Sequence, residues 1–409
     1  MEKRSGAWGQ VNVNDKRVEF VLRAARGREK MTALCREFLI SRQTGYKWLR
    51  RYRGCRQIRE LGEQSRRPRR SPRKTAPELE QRVVEMRRER PDWGAPKLAW
   101  TLEQEGVKMP WITVHRILKR HGLVSEEVGR PATQRFERAE PNELWQMDFK
   151  GMAASRSGCL PLSLLDDHSR YMVGLWALES TKGAGVRQAL EQRFREVGMP
   201  QGLLMDHGTP WWTPGSRIGL TVLTVWLLKL GMGVHFCGFR HPQTQGKVER
   251  WHGSLERAMR WRGFPDEFPQ QQGWLERFRR EYNEQRPHQA RGMQPPARFW
   301  RPSERPYPEK IREWEYPAGV RLERLNQQGM LSWQGRRWFV CEALANELVR
   351  VEELDERLLV WFCQKLICEI ERRAGQTTAV VWPAPAGANT PRQSEKCQPC
   401  TDKDLSTLS

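Results

Sequence analysis

From residue 142 to about residue 283 short apolar runs alternate with amphipathic ones, and three of these segments carry a carboxylate at one end. The first is Leu144-Trp145-Gln146-Met147-Asp148 and the second Gly202-Leu203-Leu204-Met205-Asp206. Each places an acid at or near the end of a strand-like run, where a sheet delivers side chains to its rim. The third is His241-Pro242-Gln243-Thr244-Gln245-Gly246-Lys247-Val248-Glu249-Arg250, with Glu249 on the first turn of an expected helix. Runs at 144–150, 159–166 and 171–179 predict three sequential strands, and 202–206 and 233–239 predict two more. A helix at 181–197, with Val186, Ala189, Leu190 and Phe194 on one face, and another near 217–230 link the later strands. Helices near 244–262 and 270–283 follow. Three antiparallel strands followed by helix-linked parallel ones make a mixed five-stranded sheet covered on both faces. In that order the ends of the first and fourth strands are neighbours.

Three carboxylates gathered at one rim form an oxygen-only donor set, which suits Mg²⁺ or Mn²⁺ rather than zinc. Two such ions are a standard device for cutting and rejoining phosphodiester bonds. Taken singly, each acid reads equally as a surface or capping carboxylate. Asp166 and Asp167 sit at a hairpin bend before Ser169 and Arg170 and are read as structural.

The charge balance fits a polyanion partner. The net charge is +22, and the first 140 of the 409 residues hold 34 Lys/Arg against 18 Asp/Glu. That basic field is a footprint for nucleic acid; a merely soluble basic surface is the plain alternative. No apolar stretch reaches the roughly 18 residues of a membrane span. The start, Met1-Glu2-Lys3-Arg4, lacks an apolar signal core and argues against export. Nine scattered cysteines without framework spacing fit a reducing interior, and the expected location is cytoplasmic, at the nucleoid. Cys397-x-x-Cys400 lies in a polar tail with no second pair, a weak metal signal.

Ahead of the sheet the chain is helical. Residues 15–52 predict helix, helix, turn, helix, with Thr32 and Ser41 as caps and Ala33, Leu34, Phe38, Ile40 and Trp48 as a small core. The last of these helices carries Arg42, Gln43, Thr44 and Lys47 near its start, the positions that enter the major groove in a helix-turn-helix. A linker at 54–76 follows, in which Arg66, Arg67, Arg69 and Arg70 flank Pro68; such an arm can track a phosphate backbone or serve as a plain spacer. Residues 77–125 repeat the helical theme, with Thr113, His115, Arg116, Lys119 and Arg120 on a basic third helix, and predict a second helix-turn-helix. After the central 140–300 region, residues 313–372 break into short strands, with Gln334-Gly335-Arg336 a hairpin signal, and predict a small β-barrel. Arg336 and Arg337 there are candidates for touching DNA or another subunit. A disordered tail is expected over 374–409.

Together these features resemble the integrase/transposase superfamily with a ribonuclease-H-like (DDE) core, specifically insertion-sequence transposases of the IS481 type. Trp145-Gln146-Met147-Asp148-Phe149 resembles the first-acid strand, and Leu165-Asp166-Asp167-His168-Ser169-Arg170-Tyr171 the hairpin that follows. Met205-Asp206-His207-Gly208 resembles the second-acid turn, 241–250 the third-acid helix, and Tyr282-Asn283-Glu284-Gln285-Arg286-Pro287-His288 the segment that closes the core. The resemblance covers roughly residues 15–300. Two departures stand out: His207 occupies the place usually held by Asn, and 42 residues separate Asp206 from Glu249, more than is usual. The extra length falls near Trp211-Trp212-Thr213-Pro214-Gly215-Ser216.

The resemblance implies metal-dependent 3′-end cleavage and strand transfer of element ends into target DNA by a homo-multimer. It implies that Asp148 bridges two Mg²⁺ (or Mn²⁺) ions, with Asp206 completing one site and Glu249 the other. His207 would orient the second acid or approach a metal. Beside Glu249, Lys247 and Arg250 could hold phosphates of the scissile strand or offset repulsion among the acids. Trp211 and Trp212 could stack on a splayed base or fill core, and core is favoured for Trp211. Two rival readings remain, a non-catalytic DNA-binding regulator and a hydrolytic nuclease of the same fold.

Overall fold

In strand β1 (Leu144–Phe149) alternation assigns the side chains to two layers. Trp145 and Met147 join the larger apolar core, whereas Gln146 and Asp148 face a long helix on the other side. Strand β2 (Leu160–Asp166) pairs antiparallel with β1, and β3 (Met172–Leu178) antiparallel with β2. Helix α7 (Gly183–Val197) leads to β4 (Gly202–Met205), and helix α8 (Val222–Lys229) to β5 (Gly233–Phe236). Both of these strands run parallel to β1, giving the order β3-β2-β1-β4-β5. This is the mixed five-stranded sheet expected from the sequence.

The computed structural model describes residues 13–54, 58–61, 75–124, 137–151, 158–213, 218–237, 246–373 and 376–380. The chain divides into two units, Met1–Thr75 and Ala76–Ser409.

Helices cover both faces of the sheet. On one, Val186, Leu190 and Phe194 of α7 and Leu223 and Leu227 of α8 pack on Trp145, Met147, Leu203 and Met205. On the other, α9 (Gly246–Arg262) and α10 (Phe268–Glu284) lay Val248, Trp251, Leu255, Leu275 and Phe278 on Leu165, Met172 and Leu175. The buried residues of α9 recur at three- and four-residue steps, so one side of the helix is apolar and the other faces water. Strand β3 would be an open edge, but α10 blunts it. Asn283 bonds both the N–H and the C=O of Met172 (2.8 and 3.0 Å), and Gln272 accepts from Ala177 N–H (2.8 Å).

The first unit holds α1 (Val13–Arg26), α2 (Met31–Glu37) and α3 (Arg42–Gly54) around Phe20, Val21, Leu34, Cys35, Phe38, Trp48 and Leu49. Ser41 caps α3 by accepting from Thr44 N–H (3.1 Å), as expected. Thr32 does not cap α2, because that helix starts at Met31, with Lys30, two residues earlier, at the cap position. In the second unit α4 (Pro77–Glu89), α5 (Ala95–Gln104) and α6 (Trp111–Arg120) enclose Val83, Trp93, Leu98, Leu102, Val114 and Ile117.

The expected C-terminal β-barrel is not formed. Strands β6 (Leu322–Arg324), β9 (Leu348–Leu354), β10 (Arg357–Phe362), β11 (Lys365–Glu371) and β12 (Gln376–Ala379) make an open sheet in the order β12-β11-β10-β9-β6. The hairpin of β7 (Met330–Trp333) and β8 (Arg336–Phe339) forms as predicted but stays a separate two-stranded sheet. The physical reason is burial elsewhere. Val349, Val351, Leu358, Val360 and Ile367 share one continuous core with α8 and β5, so closure would gain no further apolar contact. Lys365 Nζ donates to Val234 O (2.7 Å) and Gln364 Nε2 to Met232 O (3.2 Å), which covers the other edge of the central sheet. β12 also carries pairing past residue 374, where a tail was expected; residues 381–409, with Cys397 and Cys400, lie outside the described residues.

Candidate active site

Parallel pairing of β1 and β4 aligns Trp145 with Leu203 and Gln146 with Leu204. Two steps further along both strands come Asp148 and Asp206, at matching places on the rim. Glu249 projects from the first turn of α9 into solvent. Asp148 feels the other two. The Asp148 carboxyl is pushed up to about 7 by burial, then by the negative charge of Asp206 and of Glu249, while the Phe149 N–H pulls the other way. The Cys237 thiol, just past β5, is pushed up to about 12 by burial and by the same three acids.

Each acid has its own support. Asp206 Oδ1 accepts from Gly208 N–H (2.9 Å) and from the Trp211 indole N–H (2.7 Å). Trp211 is buried core, as favoured from the sequence, and stacks on Phe149 at 5.5 Å. Its donation to Asp206 had no sequence signal. Asp148 lies opposite Ser163 in the β1–β2 ladder, and His252, one turn after Glu249, spans the two. His252 Nε2 lies 3.0 Å from Ser163 Oγ and Nδ1 lies 3.6 Å from Asp148 Oδ2. Burial holds this imidazole down to about 3, so it is neutral. His252 was missed in the sequence, where the i+3 spacing from Glu249 was the available clue.

The start of α9 is clamped from below. Buried Asp167 accepts from Gln146 Nε2 (2.8 Å) and Arg138 N–H (2.8 Å), and pairs with Lys247 Nζ at 2.6 Å. Gln146 Oε1 in turn accepts from Val248 N–H (3.3 Å). The Lys247 ammonium is therefore engaged with protein, and burial brings it down to about 8. Arg250 is exposed. Asp166 is buried and accepts from Asn142 N–H, Ser169 N–H and Ser169 Oγ, a turn-closing role. His207 stands edge-on to Trp212 (4.6 Å) and stacks with Phe236 (5.6 Å); burial lowers its pKa.

Three carboxylates with uncompensated mutual repulsion match a hard, oxygen-seeking dication. The Asp148 carboxyl is raised first by burial and then by the negative charge of Asp206 and Glu249, which a bound cation would offset. Among the described residues, however, no three His, Cys, Asp or Glu side chains are drawn together into a ready metal cage. The charge and chemistry of Asp148, Asp206 and Glu249 still fit such an ion.

In the first unit, α3 exposes Arg42, Gln43, Tyr46, Lys47 and Arg50 on one face. Lys47 and Arg51 lean over the Trp48 ring at 5.5 and 5.0 Å, and the Thr44 hydroxyl is tied to Ser41 Oγ (2.9 Å). Gly45 lies against Cys35 and Phe20, where a Cβ would come within 2.7 Å of the Cys35 sulfur, so α3 seats closely on its neighbours. Arg66, Arg67, Arg69 and Arg70 lie outside the described residues, as does 241–245.

In chain order, two three-helix units precede a mixed sheet with acids at its rim. Family models agree. A homeodomain-like domain matches residues 44–118, a helix-turn-helix domain 16–69 and an integrase core domain 230–296. The chain is 26% identical over 230 residues to the insertion element IS407 uncharacterized 31.7 kDa protein of Burkholderia multivorans (strain ATCC 17616 / 249), covering 54% of this chain and 80% of that protein. It is 25% identical over 230 residues to the insertion element IS476 uncharacterized 39.2 kDa protein of Xanthomonas euvesicatoria, covering 54% and 64%. Among solved structures, the HTLV-2 integrase catalytic core domain in complex with magnesium is matched at TM-score 0.31 and 12% identity, over 39% of this chain and 97% of that one. The BIV integrase catalytic core is matched at 0.29 and 18%, over 38% and 92%. The chain thus joins helix-turn-helix domains to an integrase core, the make-up of an insertion-sequence transposase. No described helix is long and apolar enough to cross a membrane.

Proposed function

We propose that this protein is a DDE transposase that binds the ends of a mobile element, cleaves at their 3′ ends and joins them to target DNA. The observation that carries the reading is the pairing of β1 with β4, which sets Asp148 beside Asp206, with Glu249 close enough to raise the Asp148 carboxyl. Asp148, Asp206 and Glu249 would hold two Mg²⁺ or Mn²⁺ ions. When bound, such ions activate the attacking oxygen and stabilise the departing one in an in-line displacement. The chain's own residues do the rest. Trp211 and Gly208 fix the orientation of Asp206, and the Gln146–Asp167–Lys247 network fixes the turn that carries Glu249. Arg250, exposed beside Glu249, is placed to meet a strand phosphate. Arg42, Gln43, Thr44 and Lys47 present the reading face of α3, and Arg66, Arg67, Arg69 and Arg70 supply charge along the backbone. Acting on two ends requires at least a dimer in the active complex.

The test incubates wild type and Asp148→Asn with labelled element-end DNA, target plasmid and Mg²⁺. Joined product from the wild type, and binding without joining from the variant, is the expected result. Equal joining by both removes Asp148 from the chemistry. Cutting without joining makes the protein a hydrolytic nuclease, and binding with neither makes it a regulator.

A further inference from the structure

The turn between α4 and α5 carries Asp92, whose carboxylate is wholly buried. Two guanidinium groups from the core hold it. Arg262, the last residue of α9, donates through Nε (2.9 Å) and Nη2, and Arg286, just beyond α10, donates through Nη1. Arg262 also grips Glu281 of α10, at 2.5 and 2.9 Å. On α5, Lys97 Nζ donates to Pro287 O at 2.5 Å. Buried Trp93 faces the Arg286 guanidinium at 5.9 Å. The α4–α6 bundle is therefore joined to the two helices behind the site by a closed ionic cluster.

Such a cluster is a poor adhesive and a good register. Buried ion pairs stabilise little more than apolar contacts of the same size, but forked guanidinium–carboxylate bonds tolerate few orientations. The docking side uses the α4–α5 turn and Lys97, and none of the outward face of α6. That face shows Trp111, Ile112, Arg116 and Lys119 to solvent, an apolar tip followed by two cations on a helix-turn-helix third helix. Glu249 and Arg262 begin and end the same helix, thirteen residues or about 20 Å apart at 1.5 Å per residue.

We infer that Asp92 is a positioning residue that sets which phosphodiester is cut, by holding the α6 reading face at one fixed separation from the acid-bearing rim. The inference rests on the transposase reading above. A DNA segment engaged by α6 then presents one bond to Asp148, Asp206 and Glu249, and slack at Asp92 becomes slack in the place of cleavage.

The experiment maps 3′ ends at single-nucleotide resolution on labelled element-end DNA, using full-length wild type, Asp92→Ala and Arg262→Lys. Arg262→Lys keeps the charge but cannot bridge two carboxylates with a rigid fork, and it carries the test if Asp92→Ala does not fold by circular dichroism. Wild type is expected to cut at one position. The variants are expected to spread cuts over neighbouring bonds while binding the same DNA within about twofold. A single unchanged position in a folded variant overturns the inference and leaves the transposase reading intact. A wild type that binds but never cuts overturns both.

Discussion

Replacing Asp148 by Asn should make the metal-free protein more stable, by an amount that grows with pH. The ordinary carboxyl value is 3.8, and in the folded chain burial, Asp206 and Glu249 move it to about 7. Below about pH 4 the group is protonated in both folded and unfolded chains and contributes nothing. Between there and about 7 the unfolded chain releases the proton while the folded chain retains it, so the folded state loses stability as pH rises. At about 1.4 kcal/mol per pH unit the loss is roughly 2 kcal/mol near pH 5 and about 4 kcal/mol at most near pH 8. The Asp148 side chain is only 19% exposed, so solvent screening removes little of this. Asn keeps the shape and an acceptor for the Phe149 N–H but has no charge to develop. Urea unfolding of chelator-treated protein, followed by tryptophan fluorescence, should show Asp148→Asn ahead of wild type by an amount that widens by about 2–3 kcal/mol from pH 5 to pH 8. Added Mn²⁺ should then stabilise the wild type and leave the variant nearly unmoved. An advantage that is constant across pH, or absent, refutes the raised Asp148 carboxyl, and with it the burial and neighbouring negative charge held to raise it.

Trp211→Phe preserves the stack on Phe149 but removes the donor to Asp206, a charged hydrogen bond contributing about 1.5–3 kcal/mol. Joining should fall roughly tenfold to a hundredfold, and undiminished joining would show that the indole does not orient the acid. Lys247→Met leaves Asp167 buried without its ammonium partner and should cost about 3–5 kcal/mol in urea unfolding. Unchanged stability, together with a shallower salt dependence of DNA binding, would instead assign Lys247 to a phosphate. Lys47→Ala on the exposed α3 face should weaken element-end binding and lower the slope of log affinity against log salt by about 0.9. An unaltered slope removes Lys47 from the interface.

Local chemistry made much of this molecule legible. Short apolar runs predicted all five central strands, and their order predicted that the ends of β1 and β4 would meet. Asp166 was separable from Asp148 and Asp206 because a hairpin bend consumes a carboxylate in capping its own turn, whereas Asp167 is held by partners distant in sequence, Arg138, Gln146 and Lys247. Ser41 was readable as a cap because capping is decided within four residues, whereas Thr32 competed with a cap position two residues earlier, at Lys30. The missed barrel has a different cause. The strand pattern of 322–379 records an apolar face but not its partner, and that partner is the core around α8 and β5.

Sequence alone determined the order of elements, the placing of acids on strand, strand and helix, and the basic faces of the N-terminal helices, because each depends on side-chain spacing within one turn or one pleat. Tertiary structure decided how those parts are held. Asp92 meets Arg262 and Arg286 across 170 and 194 residues, Lys247 turns to Asp167 across 80, and Trp211 reaches back to Asp206. A buried charge requires some partner of opposite sign, but many arginines and lysines in this chain would serve equally well by type. Only packing selects which one arrives.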